Sequence, residues 1–375
     1  MSREIEILRL CLTTPNTLPV VITGGPGIGK SSRIRQLADS MGWDSVVFSV
    51  GEVGEGMFGV VPVPHADGYL HFPAAEWVKK FSADRPGVLV LDDVHATTPA
   101  LQAPLAGLIL DGRIGSYQLP KSVRRVGIMN PVHQGAGGWE FAANVCNRFQ
   151  YHQWSSPTGA EWSDWLLEHA DHQEGRGWDS ARALAATFHR KLPGRLYEDP
   201  DKVLPGREVS AYATPRSWET AVRMLAACTD RGMMEDYPAL ACGILGKPIG
   251  LEWMTWLQKN NLPDPEDLLA DPDSWKPDPR ESDKVFATCF SVAQAAIASD
   301  SHDGKGKYSK AAKRGRWLAS WRVLDKAMAL GKGMVVIAAR ILAKEENTPD
   351  GALTDPQVKG IIRQLRDVIT LAGVS

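Results

Sequence analysis

Val20-Val21-Ile22-Thr23 runs directly into Gly24-Gly25-Pro26-Gly27-Ile28-Gly29-Lys30-Ser31-Ser32. A β-branched run followed by G-x-x-x-x-G-K-S is a phosphate-binding P-loop with a strand where the motif needs one. Glycines let successive backbone N–H groups converge on a phosphate, and a helix opening at Lys30 adds the positive end of its dipole. On this reading Gly25, Pro26, Gly27, Ile28, Gly29, Lys30, Ser31 and Ser32 cradle a nucleoside triphosphate. Lys30 serves the β- and γ-phosphates, and the Ser31 hydroxyl is a ligand of Mg2+. The helical pattern of Arg33-Ile34-Arg35-Gln36-Leu37-Ala38 sets the motif apart from a chance Gly-rich turn.

Outward from the loop, β-branched runs alternate with helical stretches, the pattern of a parallel sheet covered by helices. Strands are expected at Val20–Thr23, Ser45–Val50, Val88–Leu91, Arg125–Met129 and Phe149–Trp154. Helices are expected at Ser31–Met41, Ala74–Phe81 and Pro99–Asp111, with a short one around Glu140–Cys146. Gly112–Pro120 reads as a small hairpin, and Gly51–Pro73 as a long Gly-rich surface loop. From Thr158 the chain turns helical, at Glu161–Ala170, Asp179–Lys191, Ser282–Ser299, Gly315–Leu330, Met334–Lys344 and Asp355–Leu371. Thr214-Pro215 opens another helix, threonine as cap and proline in the first turn. Trp253, Met254, Trp256 and Leu257 read as one packed helix face. Pro- and Gly-rich connectors at Leu192–Ala213 and Leu262–Pro279 mark boundaries. The expected domains are residues 1–155, 156–272 and 273–375.

The chain has 375 residues, 43% of them hydrophobic, and a net charge of −2, so it can build real cores but offers no global electrostatic attraction to nucleic acid. Cys11, Cys146, Cys228, Cys242 and Cys289 are scattered without a C-x-x-C pair, which favours reduced thiols in a cytoplasmic protein. Met1–Leu12 is not patterned as a signal peptide, and no apolar run is long enough for a bilayer. His169, His172 and His95 lack partners for a metal site in the sequence pattern.

Val88-Leu89-Val90-Leu91-Asp92-Asp93 is a buried-strand pattern ending in two carboxylates, the Walker B arrangement. Asp92 would hold Mg2+ through water and Asp93 would orient the attacking water. The Arg125–Met129 strand ends in Asn130-Pro131, a polar amide able to orient the same water. Asn147-Arg148-Phe149 then opens the next strand. Arg148 there suits a guanidinium acting in trans on a neighbouring subunit's γ-phosphate, although taken alone it reads equally as a surface salt bridge.

These motifs, in this order, resemble the AAA+ ATPases of the MoxR type found in bacteria and phages. The resemblance is carried by Gly24–Ser32, Leu89–Pro104, Leu110–Pro120, Gly127–Pro131, Asn147–Phe149 and Ala213–Glu219, continues weakly through Gly250–Pro272, and is absent beyond about residue 280. It implies an α/β P-loop NTPase core of the AAA+ kind with a parallel sheet, followed by an α-helical lid and an α-helical C-terminal extension. It also implies ATP as nucleotide, Asn130 as sensor 1, Arg148 as the trans finger and Arg216 as sensor 2 in the lid. The implied assembly is a homo-hexameric ring that remodels or matures a protein client. The implied partner is a separate von Willebrand factor A-type protein. Two departures stand out. Asp93 replaces the usual Glu, which bears on the hydrolysis rate, and Asn147 replaces the Asp that commonly precedes the finger.

Two other readings stay open. One is an ATPase acting on nucleic acid, such as a restriction-associated or phage DNA motor or loader. The basic run Lys305–Arg316 offers it either a phosphate-binding patch or no more than a solvated loop before a helix. The other is a regulatory switch in which binding, not turnover, is the output.

Overall fold

A computed structural model of the chain describes residues 2–50, 61–82, 84–94, 99–131, 146–170, 175, 177–204, 210–260, 262–298 and 307–371. The chain divides into two units, one of residues 1–156 with 199–205, the other of 157–198 with 206–375.

The first unit is built on a five-stranded parallel sheet. Its strands are β1 (Val20–Thr23), β2 (Asp44–Ser49), β5 (Gly87–Asp92), β8 (Val123–Met129) and β9 (Gln150–Gln153), in the order β2-β5-β8-β1-β9. Val20, Val21 and Ile22 of β1, and Val88 to Leu91 of β5, are at most 2% exposed. A strand buried on both faces has no polar face to show, which is why these segments read as unbroken apolar runs. The polar Gln150-Tyr151-His152-Gln153 forms an edge of the sheet, where one side meets water. Helices α1 (Arg3–Thr13), α2 (Lys30–Ser40) and α3 (Pro99–Asp111) complete the unit. Its core joins Val21, Leu89 and Leu91 to Leu105, Leu108 and Phe149. Two small antiparallel hairpins project from it, β3–β4 (Val63–Pro64 with Leu70–His71) and β6–β7 (Arg113–Ile114 with Tyr117–Gln118).

The second unit is helical. Helices Gly159–Glu168, Gly177–Lys191, Pro215–Arg231, Tyr237–Leu245 and Lys247–Lys259 surround Trp162, Trp178, Phe188, Trp218, Tyr237 and Trp253. A further core, with Trp317, Trp321 and Leu324, holds Ser282–Ile297, Lys310–Met328, Val336–Ala343 and Pro356–Leu371 together. Phe286, Phe290, Ile337 and Ile341 pack on Leu167, Ala183 and Ala186, joining the two groups of helices. Among the described residues no helix is long and apolar enough to cross a membrane. The architecture matches the expected class as far as an α/β core with a five-stranded parallel sheet, followed by helices.

Several details depart from the expectations. Ala74–Phe81 is not an α-helix but a 3-10 turn, Glu76–Lys80, with Trp77, Val78 and Phe81 buried. The segment after residue 60 is not plain loop, since it holds the β3–β4 hairpin. The helix expected at Gly315 starts at Lys310, with the Ser309 side chain accepting from the Ala312 N–H. The expected element around Glu140–Cys146 lies largely outside the described residues.

His189 lies in the aromatic core of the second unit. It is fully buried, with ring centroids 4.3 Å from Trp218 and 4.8 Å from Trp162, and its ring nitrogens have no hydrogen-bond partner among the described residues. Burial pulls its pKa down to about 3. An unfolded histidine titrates near 6.5. Above that pH neither state is charged and nothing changes. As pH falls from 6.5 towards 3, only the unfolded chain takes the proton, so stability is lost at up to about 1.4 kcal/mol per pH unit. The expected result is that lowering pH from 7 to 5 costs the wild type about 2 kcal/mol more than His189→Phe, measured by urea unfolding. Equal acid losses in both proteins would exclude His189 as the cause.

Candidate phosphate-binding site

The site is assembled at the edge of the sheet where the parallel strands end. β1 runs out at Thr23 level with Met129 of β8, and the Gly24 N–H donates to the Met129 carbonyl at 3.3 Å. β8 lies between β1 and β5, so Asn130 and Asp92-Asp93 emerge beside the P-loop from successive strands. The loop needs its glycines for stated reasons. Gly27 and Gly29 have φ of 73° and 86°, left-handed values that a Cβ disfavours. A Cβ on Gly24 would stand 2.6 Å from the Trp154 carbonyl oxygen, so the loop passes against the end of β9 with no room to spare. Gly29 forms the N-cap of α2, whose first residue is Lys30.

Lys30 is 7% exposed and turns back into the loop. Its Nζ donates to the carbonyls of Gly24 at 2.8 Å and Gly25 at 2.9 Å, and to Oδ1 of Asn130 at 2.8 Å. Asn130 Nδ2 donates to Oδ1 of Asp93 at 3.2 Å. The Asp93 N–H donates to Oδ1 of Asp92 at 3.0 Å, and the Ser31 hydroxyl donates to Oδ2 of Asp92. One hydrogen-bonded chain therefore runs Lys30–Asn130–Asp93–Asp92–Ser31. Asp93 also adopts φ of 55°, one of two positive-φ non-glycine residues among those described. Such a backbone costs a non-glycine residue roughly 1–2 kcal/mol, and aspartate is among the types that tolerate it.

These residues suit a nucleotide with Mg2+. Ser31 and Asp92 already share a bond, so a hydroxyl and a carboxylate stand where a hard cation takes oxygen ligands. The ammonium of Lys30 sits among loop carbonyls in the cradle that a phosphate would enter.

Around the loop, Arg33 of α2 ties three segments together. Its guanidinium lies 4.4 Å from the Trp154 ring and donates to Glu4 of α1 at 2.7 Å, while the other Glu4 oxygen accepts from the Ser155 N–H at 2.9 Å. No motif signalled this clamp, because its members lie 29 and 151 residues apart in sequence.

The remaining expected residues lie outside the network. Arg148 is exposed and precedes β9, whose first residue Gln150 pairs with Val20 and whose last, Gln153, pairs with Thr23. Arg148 is therefore at the edge where strands begin, opposite its own P-loop. Arg216 is exposed in the first turn of helix Pro215–Arg231 in the second unit. That turn is fixed as expected, with Thr214 and Ser217 in a reciprocal cap, 3.1 Å and 2.7 Å, and Pro215 in the first turn. In the basic run, Arg316 pairs with both Glu266 oxygens, one at 2.7 Å, and stacks 4.2 Å from the Tyr308 ring.

No protein-family model matches the chain, and no curated protein matches it. Among solved structures it is similar to NtrX from Brucella abortus, with 15% identity and a TM-score of 0.33, over 63% of this chain and 52% of that one. It is also similar to a mutant of RuvB from Thermotoga maritima, with 14% identity and a TM-score of 0.36, over 83% of this chain and 92% of that one. The chain spans about half the length of NtrX. Neither alignment assigns a role to any residue here.

Proposed function

We propose that this chain is an AAA+ ATPase of the MoxR type that binds and hydrolyses ATP with Mg2+ at the subunit interfaces of a homo-oligomeric ring, and uses the cycle to remodel a protein client with a separate von Willebrand factor A-type partner. The observation that carries the nucleotide reading is the unbroken chain Lys30–Asn130–Asp93–Asp92–Ser31. Lys30 and the loop N–H groups hold the phosphates, and Ser31 and Asp92 hold the metal, which when bound supplies charge neutralisation. Asp93 and Asn130, hydrogen-bonded to each other, orient the water and accept its proton at the Asp93 carboxylate. Arg148 serves the neighbouring chain's γ-phosphate, and Arg216 couples the helical part to nucleotide state.

The test is Mg2+-dependent ATP hydrolysis by the full chain with and without duplex DNA, alongside its particle mass with nucleotide. The expected result is hydrolysis indifferent to DNA and a mass that is a multiple of the chain's own. Hydrolysis raised by DNA and falling steeply with salt would transfer the protein to the nucleic-acid reading. Asp93→Asn should cut turnover at least about a hundredfold, the lower end of general-base effects, with ATP affinity within a few-fold. An Asp93→Asn protein that hydrolyses normally would remove Asp93 from the chemistry.

A further inference from the structure

The β3–β4 hairpin carries a side-chain cluster that the nucleotide site does not use. Val63 pairs with His71 across the hairpin, so His65 and His71 fall on one face, two residues apart in register. The turn between them is fixed by its own backbone. The His65 N–H donates to the Tyr69 carbonyl at 3.0 Å, the Gly68 N–H to the His65 carbonyl at 3.1 Å, and Gly68 takes the left-handed conformation at φ 84°. The hairpin is also anchored, because the Ser116 N–H in the β6–β7 turn donates to the Phe72 carbonyl at 3.0 Å.

Asp67 sits in that turn with its two oxygens divided. Oδ1 accepts from the Tyr69 N–H at 2.9 Å, which fixes the carboxylate. Oδ2 is left to both imidazoles, 2.7 Å from His71 Nε2 and 3.2 Å from His65 Nδ1. The rings stack with centroids 4.2 Å apart, and the three ligand atoms lie within 4.8 Å of one another. All three residues are exposed, and His65 and His71 border a cleft of about 380 Å³ together with Val63, Phe72 and Tyr117.

We propose that His65, Asp67 and His71 form a binding site for one divalent transition-metal ion of the zinc class. Two imidazoles and a carboxylate are the donor set of such ions, whereas Mg2+ and Ca2+ prefer oxygen alone. A tetrahedral zinc with bonds near 2.05 Å separates its ligand atoms by about 3.3 Å. The two histidine–Asp67 pairs, at 3.2 Å and 2.7 Å, stand within a fraction of an ångström of that spacing, and the two imidazole nitrogens, within 4.8 Å of each other, close on the ion by side-chain rotation at this exposed site. The ion takes the place of the direct imidazole–Oδ2 contacts, and its fourth position faces solvent. The ion clamps the two hairpin strands together. The site is independent of the nucleotide reading.

The test is a zinc titration of the full chain by calorimetry in excess Mg2+, with Co2+ as a spectroscopic stand-in. One zinc per chain is expected, and His65→Gln or His71→Gln should each weaken it at least about tenfold, as loss of a ligand costs no less than loss of an outer-shell partner. Wild-type Co2+ protein should show nitrogen and oxygen ligation without thiolate charge-transfer bands. Zinc binding unchanged in the double variant, thiolate bands in the cobalt spectrum, or no zinc bound by the wild type would each overturn the site. Because the cobalt spectrum is taken on the unaltered chain, it decides the matter even where a variant misfolds.

Discussion

Replacing Lys30 by alanine should weaken Mg2+–nucleotide binding by at least about a hundredfold, because two charge-assisted hydrogen bonds of roughly 1.5 kcal/mol or more each are lost and 1.4 kcal/mol is a factor of ten. The side chain is already inside the loop, held by the carbonyls of Gly24 and Gly25 and by Asn130. Binding therefore trades these partners for phosphate oxygens, with little further desolvation of an ammonium that is 7% exposed. Alanine also takes the donor away from Asn130, which holds Asp93, so turnover of any residual complex should fall too. Affinity by calorimetry, with the melting temperature of the nucleotide-free protein as a control on folding, checks this. Binding within threefold of wild type would refute the phosphate-binding role of the loop.

Arg148→Ala should leave nucleotide affinity nearly unchanged and cut hydrolysis by about a thousandfold, the low end for loss of an arginine finger. The expectation rests on the two edges of the sheet. Parallel pairing of Gln150 with Val20 and of Gln153 with Thr23 puts Arg148 before the strands start and the P-loop after they end. β9 alone spans about 10 Å at ~3.3 Å per residue, and Arg148 lies two residues further back. A guanidinium there lies too far from its own P-loop to serve it, so any nucleotide it serves belongs to another chain. Mixing Arg148→Ala with Asp93→Asn chains should then restore part of the activity, since some interfaces receive an intact half from each. Mixtures with no recovery at any ratio would refute the shared site, and undiminished hydrolysis by Arg148→Ala alone would make the residue a surface arginine.

The legible parts of this chain are those whose neighbours in sequence are also their neighbours in space. β1 appears with its expected bounds because four β-branched residues, three of them buried, are followed at once by glycines. The convergence of Lys30, Ser31, Asp92, Asp93 and Asn130 is legible because each ends or directly follows a strand, or opens a helix, on one edge of a parallel sheet. The Thr214 cap was legible for the same local reason. Helix Lys247–Lys259 is legible only through its face of Trp253, Met254, Trp256 and Leu257, and Tyr237–Leu245, with Pro238 and Gly243 in it, carries no such pattern. Pro238 and Pro248 sit in first turns, where no helical hydrogen bond is lost. The β3–β4 hairpin left no trace because its strands are two residues long and exposed, so no alternation of burial marks them. The histidine–aspartate cluster was hidden with it, as its spacing acquires meaning only once the strands pair.

The packing of Trp154 has an optical consequence. Its backbone N–H extends β9 by bonding the Thr23 carbonyl at 2.7 Å, its carbonyl abuts Gly24, and the Arg33 cation lies 4.4 Å from its ring. Trp154 is 3% exposed, yet its backbone abuts the start of the phosphate loop and its ring meets Arg33 just past the loop's end. Any rearrangement of that loop alters the electric field across this one chromophore. Among the chain's 13 tryptophans, the part of the emission that Trp154→Phe removes is therefore expected to report on the phosphate loop without a label.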